Sequence, residues 1–246
     1  MPNKRGQLTI FIIIAIIILA CAAAFLIFKD RIILKSPEAD EVSTFVKQCL
    51  EDITSEGIYL LATKGGYIYS FDKTLNLDNV QVAYHMEYND ESIAPMIDFM
   101  EGELSRFIGD SLKGCILVSE KQDYYKLELG EMNVKPKILS NSILVKLHYP
   151  ITIITNESET TISDFSASIP IRLGYILDVK RKVLKSLKDS GKIDFDLLSS
   201  FDAEVSIIPY DEENIIYSVY DFKSEIDGKP FLFNFAVKFN KNARGA

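Results

Sequence analysis

The sequence predicts an α+β fold: an N-terminal transmembrane helix followed by an ectodomain of amphipathic helices packed on a mainly antiparallel sheet. Three observations predict it. Leu8 to Phe28 is an uninterrupted run of 21 residues with one hydroxyl, Thr9, and no charge. Beyond it, several segments repeat apolar residues about every 3.6 positions, while others alternate with period two. Strands grouped after helices, without one-to-one alternation, argue for α+β over a parallel α/β sheet.

The N-terminal run comes first in the chain and fixes location. At 1.5 Å per residue it reaches ~31 Å as a helix, about the thickness of a bilayer's hydrocarbon core. The implied organisation is a basic cytoplasmic N-terminus over residues 1–7, a membrane helix over 8–28 and a connector over 29–36. An extracytoplasmic α+β domain over 37–240 and a flexible tail over 241–246 complete it. A removed secretory signal would be shorter and end in small residues. Ala20-Cys21-Ala22 and Ala22-Ala23-Ala24 fit that rule, but Phe25-Leu26-Ile27-Phe28 continues the apolar run. Ile18-Leu19-Ala20-Cys21 also fits a bacterial-type lipobox, and the same apolar continuation argues against it.

Ahead of the run stands Lys4-Arg5-Gly6-Gln7, followed by Leu8-Thr9-Ile10-Phe11. This resembles the class III signal of archaeal pilin-like membrane-anchored proteins. The resemblance implies cleavage between Gly6 and Gln7 with the hydrophobic helix retained. Phe11 stands where many bacterial pilins carry a glutamate that aids filament assembly. Cys49-Leu50-Glu51 and Gly65-Gly66-Tyr67-Ile68 extend the resemblance to anchored proteins of small archaea, and they imply location more than chemistry.

Flanking charge does not orient the helix, because Lys4 and Arg5 precede it while Lys29, Arg31 and Lys35 follow. Two cysteines outside the run, Cys49 and Cys115, fit one disulfide in an oxidising compartment or two buried thiols. Asn156-Glu157-Ser158 is a glycosylation sequon, with Asn156 the acceptor. Together these place the large domain outside. Of the net charge of −8, the first 36 residues contribute +4, so the remainder carries −12. An acidic body repels phosphates, which excludes nucleic acid as a partner.

Ser36-Pro37, followed by Glu38, Asp40 and Glu41, reads as a helix start. Its apolar stripe runs through Val42, Phe45, Val46, Cys49, Leu50, Ile53, Leu60 and Leu61 until Gly65-Gly66 ends it. A second helix is expected from about Ser92 to Leu112 or slightly beyond, with a stripe from Ile93 and Ile97 to Cys115. Ser142 to Thr155 alternates through Ile143, Val145, Leu147, Tyr149, Ile151 and Ile153, then turns at Asn156-Glu157-Ser158-Glu159 into a second strand. Pro150 and Pro170 are expected near strand ends or edges. Tyr175 to Leu187 returns to helical spacing, with Lys180, Arg181, Lys182, Lys185 and Lys188 on the polar side and Gly191 closing it. Three strands follow, at 203–208, 215–222 and 231–239, joined at 210–214 and Asp227-Gly228 as a meander.

No residue pattern points to catalysis, a cofactor or a metal. His85 and His148 fall in strand-like segments without paired ligand spacing. There is no nucleophile elbow, phosphate loop or dinucleotide fingerprint. Asp194 with Asp196, and Asp211 with Glu212 and Glu213, cluster oxygens but follow no calcium-loop pattern. The tyrosines at 67, 69, 210, 217 and 220 suit either sheet packing or a wet interface. The chain therefore reads as a membrane-anchored extracytoplasmic structural or interaction protein, a pilin-like subunit of a cell-surface assembly. The alternative is a monomeric single-pass binding or envelope-assembly module that recognises a partner through its sheet. Its expected partners are the lipid bilayer and another protein or a second copy.

Overall fold

The computed structural model describes residues 17–18, 37–69, 71–88, 92–119, 125–156 and 158–239. The predicted processing site Gly6-Gln7, the tail 241–246 and, apart from the helical Ile17 and Ile18, the predicted span Leu8–Phe28 lie outside them. Among the described residues no helix is long and apolar enough to cross a membrane. The chain divides into two compact units, residues 1–40 and 41–246. The second is an α+β body with two mixed-order sheets.

Helix α1, Pro37–Thr63, begins at the proline that fits a first helical turn. It buries Val46, Leu50, Ile58 and Leu61 and ends where Gly65 and Gly66 adopt φ of +78° and +94°. Their amides return to the carbonyls of Ala62 and Leu61, closing the helix as the sequence predicts. Helix α2, Ile97–Ser119, starts five residues later than Ser92. Pro95 is the reason: it has no N–H to donate and disfavours helical backbone at Ala94. Met100, Leu104, Ile108 and Leu112 keep the expected buried stripe, but Ile93 and Ile97 are left exposed. Cys49 of α1 is bonded to Cys115 of α2, with the Cα atoms 6.1 Å apart. The two helices are in close contact, since a side chain at Gly57 would meet Phe107 at 2.8 Å.

The first sheet has the order β1-β2-β9-β8-β7. Strands β1, Thr74–Leu77, and β2, Val80–Glu87, form a hairpin whose two turn residues, Asp78 and Asn79, both have positive φ. The meander of β7, Glu204–Pro209, β8, Asn214–Ile226, and β9, Lys229–Lys238, follows the sequence reading. Strand β2 joins it by pairing parallel to β9, so this sheet is not purely antiparallel. Residues Phe231, Phe233 and Phe235 with Asn234 and Ala236 make β9 buried on both faces.

The second sheet is built on β5, Ile143–Ile154. Its six alternating residues from Ile143 to Ile153 are all buried, as the period predicts. Strand β6, Glu159–Ile169, pairs along one edge; β4, Asn133–Ile138, and β3, Lys126–Leu129, share the other. Pro150 lies inside β5 rather than near its end. The ladder to β6 shifts register between His148 and Ile151 and so absorbs the missing donor.

Helix α3, Leu173–Ser190, is closed by Gly191 at φ 66°. Its first turn is pinned to β8 by a dense polar knot. Arg172 donates from Nε to Asp221 Oδ2 at 2.9 Å and from Nη2 to Asp221 Oδ1 at 2.5 Å. Asp221 also accepts from Ser224 Oγ at 2.6 Å and from the Lys223 amide at 3.0 Å. Burial alone would raise the Asp221 pKa, but these hydrogen bonds outweigh it and hold the carboxyl below its usual range. A short helix α4, Phe195–Ser199, follows, capped by Asp194 accepting from the Leu197 amide at 3.0 Å.

Candidate functional site

Of the residues that the sequence singles out, four from the basic side of the Tyr175–Leu187 helix, Lys180, Arg181, Lys185 and Lys188, line a site; the two histidines, Cys49, Cys115, the acidic clusters and Asn156 do not. An open groove of about 960 Å³ runs between α3 and the segment leading into α2. One wall is Leu177, Lys180 and Leu184 of α3; the other is Met96 and Ile97, with Met86 of β2 between them. Two local features build the second wall. Gly66 leaves room for Pro95, which a side chain there would meet at 2.7 Å, so the 92–96 segment docks against the end of α1. The Ile93 amide then donates to the His85 carbonyl at 2.9 Å, leaving Met96 77% exposed toward solvent.

Lys180 is the decisive residue. The sequence reading put it on the solvated face with its basic neighbours, yet only 6% of it is exposed. Helical geometry explains the correction. Lys180 stands four residues after Ile176 and three and four before Val183 and Leu184, so it occupies the apolar stripe. That signal was present in the spacing. Among the described residues it forms no ion pair or hydrogen bond; the Phe233 ring centre lies 5.8 Å from its Nζ. Burial pushes its pKa down to about 8. Arg181 and Lys182, by contrast, are exposed and paired with Asp178.

His85 sits deeper, fully buried on β2. Its Nε2 lies 2.7 Å from the Gly65 carbonyl and its ring stacks on Phe235, while Nδ1 has no partner among the described residues. Burial first, then the positive charge of Lys180, hold its pKa well below the ordinary imidazole value. The imidazole is therefore neutral, with Nε2–H donating and an unused lone pair on Nδ1.

Holding an ammonium ion whose pKa has fallen from 10.5 to about 8 costs the fold about 3 kcal/mol at pH 7. The sign follows from the depressed value. The penalty is absent above pH 10.5, where the amine is neutral folded or unfolded; it grows as pH falls to about 8 and is constant below. Lys180→Met is expected to raise stability by about 2–3 kcal/mol at pH 7, with the gain shrinking toward pH 10. Urea unfolding at the two pH values measures it, and a loss of stability at pH 7 would contradict the burial.

The other candidate positions are structural or solitary. Asp211 accepts from the amides of Glu213 and Asn214, both at 2.8 Å, and so shapes the β7–β8 turn. Asp194 caps α4, and no cluster of three or more metal-ligating side chains occurs among the described residues. His148 is exposed and pairs with Asp164 at 2.9 Å. Asn156 lies exposed in the β5–β6 turn. No family model, curated protein or solved structure matches the chain.

Proposed function

We propose that this chain is a single-pass membrane protein whose acidic α+β domain stands outside the cytoplasm and acts as an interaction module. One observation carries the interaction reading: a groove with an apolar wall, built around a buried lysine that no described residue neutralises. An uncompensated buried cation is costly to the fold, and such costs cluster where a protein must bind something. Location rests on two supports. Leu8–Phe28 is long and apolar enough to span a bilayer, and the Cys49–Cys115 bond suits an oxidising compartment. Recognition is thereby assigned to the groove and not to an open sheet face.

The test uses the full chain expressed with membranes. It is expected to resist alkaline carbonate extraction, to be digested by protease added to intact cells, and to migrate faster on a gel without reductant. A carbonate-soluble chain, protected from outside protease and carrying two free thiols, contradicts the proposal. Lys4-Arg5-Gly6-Gln7 ahead of the apolar run favours a second reading, a pilin-like subunit. It requires Gln7 at the mature N-terminus and sheared filaments containing the chain; monomers retaining Met1 exclude it.

A further inference from the structure

We infer that the groove beside α3 is a binding site for an amphiphilic monocarboxylate, with the carboxylate on Lys180 Nζ and the apolar chain on Met96, Ile97 and Leu184. This rests on the reading of the groove as the recognition site and names its ligand. Four features select that chemistry. Lys180 is buried, lines the groove and lacks any described anionic partner, so it supplies a cation whose desolvation has already been met. An incoming carboxylate replaces no existing ion pair. Lys180 is recessed, with 6% exposure, so only a slim head group reaches it. The wall opposite α3 is apolar and open, with Met96 77% and Ile97 43% exposed, while the buried Leu177 and Leu184 line the α3 side.

The rim carries both signs: Asp98 and Asp178 line the groove together with Arg181, Lys185 and Lys188, and Asp178 already holds Arg181 and Lys182. The recess limits the ligand to a single negative head, because Lys180 is one buried cation set among Met86, Leu177 and Leu184, where a second negative group would meet only hydrocarbon. Methionine at the mouth suits an aliphatic chain of variable fit, because its unbranched thioether adapts to irregular apolar shapes. The volume, about 960 Å³, is ample for such a molecule.

The experiment compares decanoate with decanol, which share a chain and differ in charge, using the full chain in neutral phosphatidylcholine nanodiscs and empty nanodiscs as the reference. Calorimetry is expected to show decanoate binding about tenfold or more tightly than decanol, the scale of one charge-assisted hydrogen bond. Lys180→Met, which is expected to fold at least as well as wild type, should lose decanoate and retain decanol; Lys146→Ala, at an exposed β5 lysine that does not line the groove, should change decanoate affinity less than about threefold. Undiminished decanoate binding by Lys180→Met, or a preference for decanol in wild type, overturns the inference. A third arm offers a peptide carrying several glutamates and leucines. If that peptide binds while decanoate does not, the ligand class is wrong and the groove remains the recognition site. If neither binds, both the ligand class and the groove reading fall.

Discussion

Asp221→Ala is expected to destabilise the domain by about 3–5 kcal/mol, the largest effect of any single substitution considered. Asp221 is wholly buried, and its carboxylate receives two donors from Arg172 plus Ser224 Oγ and the Lys223 amide. Removing it leaves the Arg172 guanidinium, only 16% exposed, with the more exposed Asp202 as its remaining anion. Asp202→Ala is the control. Asp202 is 54% exposed and paired with Arg172 at 3.0 Å and Lys223 at 2.6 Å, so screening by water should keep its loss well below that of Asp221. Urea unfolding of the two variants at pH 7 measures the contrast. Equal losses would show that the pair at the start of α3 is no more sheltered than a surface bridge. Because Arg172 fixes the turn from which α3 emerges, Asp221→Ala should also weaken any binding in the groove that Lys180 lines.

Breaking the covalent link between the long helices should cost nearly as much. Cys49 and Cys115 are 66 positions apart, and on the loop-entropy account a closure of that length stabilises by about 4 kcal/mol. The double variant Cys49→Ala with Cys115→Ala avoids leaving a lone buried thiol. Its urea midpoint is expected to fall accordingly and to be insensitive to reductant, whereas wild type in reductant should drop to a similar midpoint. A wild-type midpoint unmoved by reductant would mean that α1 and α2 hold together through packing alone.

Local chemistry was legible in the sequence wherever one principle acted without competition. The alternation from Ile143 to Ile153 marks the buried face of β5, Gly65-Gly66 ends α1, and Asp227-Gly228 supplies the two positive-φ residues between β8 and β9. The β1–β2 hairpin was legible in principle and passed over, because its turn is Asp78-Asn79 instead of a pair ending in glycine. Pro95 had the same status: an apolar stripe ran through it, and the proline prevailed over the stripe. The parallel pairing of β2 with β9 was not legible, since nothing local joins Tyr84 to Ala236 across the chain.

The site shows the same division. Its walls come from α3, β2 and the segment before α2, elements brought together by tertiary contacts that no motif records. Yet its central residue was written in the spacing of α3. A run of basic residues draws attention as a charged surface, and the position of Lys180 within the apolar stripe is visible only when each cation is placed on the helix separately.

The buried, unneutralised ammonium of Lys180 is the claim on which both the groove and its ligand depend. The most direct measurement is an NMR titration of lysine side chains labelled at Cε and Nζ, with Lys180→Met providing the assignment. One lysine signal, absent from that variant, should titrate near pH 8 in the folded protein, well below the 10.5 of a lysine side chain free in water. A Lys180 signal titrating at that free value would contradict the account.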